Sequence, residues 1–197
     1  HLAALRAIPN LQVFRPADAM ETAECWQLAL ETREAPSAIA LTRQNLRPMR
    51  TVYEDDNLCA RGAYELRPAT GEARVTIFAS GSEVEIASDA REELERRGVP
   101  TRVVSVPCFE LFFQQSREYQ RSLTHGPEIK VAIEAAVEMG WRSFIGDDGI
   151  FIGMKSFGQS APYKTLYEHF GITPRAVVDA VSAKLDENNS EEDETRA

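Results

Sequence analysis

Only three cysteines occur in the 197 residues, at positions 25, 59 and 108, and none belongs to a CxxC pair. That spacing gives no support to a zinc site or a redox dithiol, and an odd number of separated thiols fits a reduced, cytosolic protein best. No apolar run approaches the length of a membrane span, and no secretory leader pattern is present. Positive charge is also short: 22 Lys and Arg stand against 31 Asp and Glu, a net charge of −9. Six of the acids and one arginine lie in residues 186–197, which leaves −4 for the body. Without a basic footprint, a role in non-specific nucleic-acid binding has no support. What the chain does have is 43% apolar and 27% charged residues, the balance of a soluble globular protein.

Short apolar runs alternate with helical patterns, which predicts an α/β fold: a mostly parallel sheet flanked by helices, preceded by a partial α/β domain. Leu2-Ala3-Ala4-Leu5-Arg6-Ala7-Ile8 has helical spacing and stops at Pro9-Asn10. The chain starts at His1, directly in that helix, so a cut inside a larger protein is expected. Leu11–Phe14 reads as a strand. Asp18 and Glu21 form a capping box for a helix expected to bury Ala23, Trp26 and Leu30. The run 36–42 reads as a parallel strand covered on both faces. Residues 44–61 are polar and aperiodic, an exposed connection between units. The second unit, 62–185, carries strands at 64–66, 75–79, 102–106, 129–133 and 150–154. A second capping box is expected at Ser82 and Glu85. Residues 186–197, acidic and poor in apolar side chains, are expected to be a disordered tail.

Four constellations bear on chemistry. Arg43, in Thr42-Arg43-Gln44-Asn45, ends a strand, and strand carboxyl ends are where open α/β sheets bind ligands. Its guanidinium can grip phosphate as a planar fork, although position alone favours a structural ion pair. Gly81-Ser82 turns a strand into a helix, where free amides can hold an anion or simply be capped, and capping is the better reading. Gly146-Asp147-Asp148-Gly149 reads as turn residues in preference to a paired-carboxylate metal site. Of the histidines, His1, His125 and His169, the last two have no nucleophile or acid in a visible catalytic arrangement. Local chemistry leaves the activity open.

In Phe14-Arg15-Pro16-Ala17-Asp18 and Leu41-Thr42-Arg43-Gln44-Asn45-Leu46 the sequence resembles the transketolase family. The likeness continues through Ala79-Ser80-Gly81-Ser82-Glu83-Val84, Arg102–Pro107, Phe157-Gly158-Gln159-Ser160-Ala161-Pro162 and Phe170-Gly171-Ile172-Thr173-Pro174, in the order of that family's C-terminal third. The resemblance implies a bacterial, cytoplasmic, homodimeric enzyme of the pentose phosphate pathway. Such an enzyme uses thiamine diphosphate with a divalent metal (Mg or Ca) to move a two-carbon ketol unit from a ketose phosphate to an aldose phosphate.

On the same likeness, 1–43 end the pyrimidine-binding domain, 44–61 link, and 62–185 form the C-terminal domain, a dimer-supporting module. The diphosphate- and metal-binding segment, the activating glutamate and the assisting histidines of the family all fall outside this stretch. His1 matches none of them, so the chain alone is expected to be inactive and to bind no cofactor. One functional residue carries over: Arg43 matches the family arginine that binds the terminal phosphate of the sugar. The alternatives are a non-catalytic binding or assembly module of the same shape, or a related enzyme. Dihydroxyacetone synthase, deoxyxylulose-phosphate synthase and the E1 β chain of 2-oxo acid dehydrogenases share the domain order.

Overall fold

The structure is a computed structural model and describes residues 1–52 and 54–196, the side chains of 191–196 excepted. Its centre is the strand β4 (Val75–Ala79), all five residues of which are buried. Two parallel neighbours explain why this run is apolar throughout: β5 (Thr101–Ser105) on one side and β6 (Ile129–Glu134) on the other. Beyond β6 lies β7 (Ile150–Gly153), parallel, and beyond β5 lies β3 (Tyr64–Arg67), antiparallel, so the order is β3-β5-β4-β6-β7.

The pleat sorts side chains between two layers. Val75, Ile77 and Ala79 join Val103, Val131 and Ile133 under α3 (Glu83–Arg96) and α8 (Pro174–Arg196). On the opposite face, Phe78 and Ala132 meet α4 (Phe109–Gln114), α5 (Arg117–Thr124) and α6 (Arg142–Ile145). There Phe112 stacks on Phe144 at 4.9 Å, and Phe109 meets the Trp141 edge at 4.8 Å. Helix α7 (Tyr163–Phe170) ends at Gly171 in the left-handed region, and Thr173 then caps α8 by accepting from the Ala176 amide.

The N-terminal unit is small. Helix α1 (Leu2–Arg6) leads to β1 (Gln12–Phe14), and the crossover helix α2 (Ala19–Glu31) returns the chain to β2 (Ser37–Ile39), parallel to β1. Asp18 caps α2 as expected, and the Glu21 carboxylate reaches back to the Ala17 amide at 2.7 Å. The unit leans on the larger sheet through a Phe14–Cys108 bridge and through the Arg15 amide, which donates to the Pro107 carbonyl.

Several expectations are corrected. The face of α2 that packs inward is Glu21 and Cys25, while Ala23, Trp26 and Leu30 face outward, Leu30 with 75% of its surface accessible. The apolar stripe is real, but a two-stranded sheet reaches only the opposite strip of the helix. For the same reason β2 is three half-buried residues and not a strand covered on both faces.

The stretch 44–61 is also less free than its polarity suggests. Met49 is buried with its amide on the Asp18 carboxylate, Arg50 pairs with Glu24 at 2.5 Å, and Leu58–Arg61 forms a 3₁₀ turn that buries Cys59. Ser82 makes no helix cap. Its hydroxyl donates to Glu83 and meets the Tyr167 hydroxyl instead. Helix α8 extends into the acidic segment, to Arg196. Glu and Lys are good helix formers, and the Lys184–Glu187 pair and the Ser190–Asp186 back-bond lie on this extension.

Candidate functional site

In a sheet of this order the strand connections part between β4 and β6, the crevice where open α/β folds take ligands. Here the crevice is filled by side chains. Ser80 and Gly81 follow β4, Glu134 ends β6, and Glu83 opens α3; both glutamates are fully buried. Arg15, arriving from the end of β1, donates through Nη1 to the Ser80 carbonyl at 2.7 Å, to the Ser80 hydroxyl and to Glu83. Arg6, from α1, grips Glu134 with both terminal nitrogens at 2.8 and 2.7 Å. Trp141 Nε1 and the Ser80 hydroxyl also donate to Glu134, while the Tyr167 hydroxyl and the Ala135 amide donate to Glu83.

Two cations from the N-terminal unit thus meet two anions from the larger domain, with no exposed charge left over. Burial alone would raise Glu134, but Arg6 and then Arg15 outweigh it and hold the carboxyl below the usual range. Burial would lower Arg15, and the two glutamates beside it reverse that as well. Gly81 is a glycine for this reason: its φ is +58°, and a Cβ there would stand 2.9 Å from the Arg15 side chain.

A third buried carboxylate, Glu21, crosses the same seam. Its Oε1 accepts from Ser105 at 2.6 Å and from Tyr64 at 2.7 Å. Burial raises its pKa above the usual carboxylate range, Asp18 adds to this, and the bonds from Ser105, Tyr64 and Ala17 offset it in part. A folded-state value above the unfolded one gives stability that is full below the ordinary Glu range and lost as pH rises through the raised value. Glu21→Gln should therefore gain on the wild type as pH climbs, a trend read from urea melts at a series of pH values. A constant difference between the two proteins would show that Glu21 titrates normally.

The other candidates separate. Arg43 lies in the loop after β2, exposed, and makes no ion pair or side-chain hydrogen bond among the described residues. Among the described residues, the structural ion pair favoured by position alone is therefore absent. Beside its loop a cleft of about 200 Å³ opens between Ala40, Thr42 and Gln44 on one side and Arg15, Gly81 and Tyr167 on the other. Asp147 and Asp148 sit in a turn wrapped around Arg142, whose Nη1 takes the carbonyls of Gly146, Asp147 and Gly149. His1 precedes α1, His125 meets Thr124, and His169 faces Gln159 near the end of α7; these are three distant places.

The cysteines, far apart in sequence, converge with Phe14 in one buried cluster at the seam. Burial raises the Cys59 and Cys108 thiols, which makes them packing groups and not nucleophiles. Sequence reasoning missed Arg6, Arg15, Glu83, Glu134 and Tyr167. The available signal was Glu134 at the very end of an apolar strand.

Residues 62–173 match the family model described as the transketolase-like C-terminal domain, and residues 1–49 match the transketolase pyrimidine-binding domain. The chain belongs to the transketolase family. The transketolase of Sinorhizobium medicae is 51% identical over 179 residues, which are 90% of this chain and 26% of that protein. That of Cereibacter sphaeroides is 49% identical over 185 residues, 94% of this chain and 28% of the relative. Among solved structures, the transketolase from Leishmania mexicana superposes with a TM-score of 0.82 at 40% identity, covering 90% of this chain and 26% of that one. A split gene transketolase, described as an inactive β4 tetramer, gives 0.78 at 26% identity over 92% of this chain and 60% of its own. The chain thus spans about a quarter of the length of the curated relatives it matches.

Transketolases imply thiamine diphosphate and a divalent metal. The residues described here do not fit that pair on their own: no group of three His, Cys, Asp or Glu is placed to hold a metal ion. The glycine turn that could face a diphosphate is taken up by Arg15. No helix among the described residues is long and apolar enough to cross a membrane.

Proposed function

We propose that this chain supplies the C-terminal part of a thiamine-diphosphate-dependent transketolase that moves a two-carbon ketol unit from a ketose phosphate to an aldose phosphate. In this reading 1–43 end the pyrimidine-binding domain, 62–185 form the C-terminal domain, and the diphosphate and metal are held by parts of the enzyme outside this stretch. The working partners are the rest of the transketolase polypeptide and a second copy in a homodimer, in the cytoplasm. Three buried free thiols fit a reducing compartment. The match in register across both transketolase models supports the assignment.

Within that enzyme Arg43 binds the terminal phosphate of the sugar. The observation that carries this role is its placement: the loop after β2, in the family motif Thr-Arg-Gln-Asn-Leu, exposed and without an anionic partner among the described residues. A phosphate clamp remote from the reacting carbon supplies binding energy and orients the sugar.

The test compares kcat/KM for a phosphorylated and a non-phosphorylated aldose acceptor in the complete enzyme, wild type against Arg43→Ala. Loss of a charge-assisted contact should cost roughly 1.5–3 kcal/mol, about ten- to hundredfold, for the phosphorylated acceptor alone. An equal loss for both acceptors would make Arg43 structural. Absence of ketol transfer in the wild type would return the chain to the class of binding modules.

A further inference from the structure

We propose that Arg15 is a positioning residue for sugar-phosphate binding, holding the Arg43 loop in place through its anchorage at Ser80 and Glu83. The proposal rests on the reading of Arg43 as the phosphate contact. Around Arg43 the loop has few fixed points: β2 is three half-buried residues, from Leu41 to Met49 the chain has no regular structure, and the Arg47–Asp89 pair and the Met49 amide on Asp18 hold only its far end. Its nearest firm point is the Ala40 amide, which donates to the Phe14 carbonyl at 2.8 Å.

The next residue is Arg15, and it is fixed three ways to the larger domain. Its amide donates to the Pro107 carbonyl at 2.8 Å, its carbonyl accepts from the Gly81 amide at 2.9 Å, and its guanidinium is locked on Ser80 and Glu83. Glu83 is held in turn by the Ala135 amide and by Tyr167 of α7. Thr42 and Gln44, which flank Arg43, line the cleft whose far wall is Arg15, Gly81 and Tyr167. The C-terminal domain therefore acts as a bracket: displacement of the guanidinium moves the floor under the loop. The crevice that other α/β folds give to a ligand is spent on this anchorage.

The experiment uses the complete enzyme with saturating ketose donor. Arg15→Lys keeps the charge beside the glutamates and loses the planar fork, so the fold is retained while the anchorage loosens. It should raise KM for a phosphorylated acceptor about tenfold with kcat near wild type, and move the non-phosphorylated acceptor far less. Gly81→Ala crowds the same guanidinium from the other side and should give the same signature. Calorimetric binding of an aldose phosphate without donor should weaken by the same factor, and thermal melting confirms that each variant is folded.

In an Arg43→Ala background neither variant should reduce the phosphate preference further, because the contact being positioned is gone. Equal losses for both acceptors, no loss for either, or effects that multiply with Arg43→Ala would overturn the positioning role. If Arg43→Ala itself shows no selective loss, the phosphate reading falls and takes this proposal with it. Selective loss there with none in Arg15→Lys overturns the positioning role alone.

Discussion

Glu134→Ala is expected to destabilise the chain by about 3–5 kcal/mol, because it leaves buried arginines without their counter-charge. Glu134 accepts four side-chain hydrogen bonds, two from Arg6 and one each from Ser80 and Trp141, and has no accessible surface. With the carboxylate gone, Arg6 sits over the Phe109 ring with no acid paired to it among the described residues, and Glu83 remains the one acid paired with Arg15 there. The loss would appear in urea unfolding as a lower midpoint at unchanged slope. The control is Arg47→Ala, which breaks an exposed pair with Asp89 and should cost less than about 1 kcal/mol. Comparable small losses at both positions would show that the seam is held by packing and not by its ions. Acid should mimic the substitution, since the depressed carboxyl contributes stability above its unfolded pKa and loses it as pH falls through the folded one.

Gly62→Ala should be about as damaging, at roughly 3–5 kcal/mol from left-handed backbone strain plus forced displacement of packed main chain. Gly62 has φ +74°, and a Cβ on it would stand 2.1 Å from the Phe112 amide nitrogen and 2.4 Å from the Cys108 carbonyl oxygen. Both are backbone atoms of the first turn of α4, so no side chain can rotate away. Relief requires α4 to lift off the aromatic layer that Phe109 and Phe112 anchor. Gly98 provides the comparison, with φ +78° and nothing within 4 Å of the same hypothetical atom. Gly98→Ala carries the conformational strain alone and should cost about 1–2 kcal/mol. Equal midpoints for the two variants would disprove the steric argument.

The five-stranded unit was legible because its strands are short, nearly unbroken apolar runs bounded by glycines and prolines. Val75–Ala79 was found to the residue. What periodicity could not supply was the partner of each surface. The stripe of Ala23, Trp26 and Leu30 on α2 is as regular as any core stripe, yet none of the described residues buries it, so the pattern named the wrong inward face. The seam was illegible for a different reason. Arg6 and Glu134 lie 128 positions apart, and Arg15 and Glu83 lie 68 apart, and no local rule pairs charges over such distances. The phosphate role proposed for Arg43 came only from the family motif. Its position alone favoured a structural pair.

The division of charge across the seam sets a rule for exchanging parts between relatives. Arg6 and Arg15 come from the first fifteen residues, and the glutamates they pair with, Glu134 and Glu83, come from beyond residue 61. Neither half is balanced without the other. A hybrid made by cutting at the linker inherits a neutral joint only if the donor of the first half carries arginines at both places and the donor of the second carries glutamates at both. Sequence identity over the rest of either half says nothing about whether the joint will close.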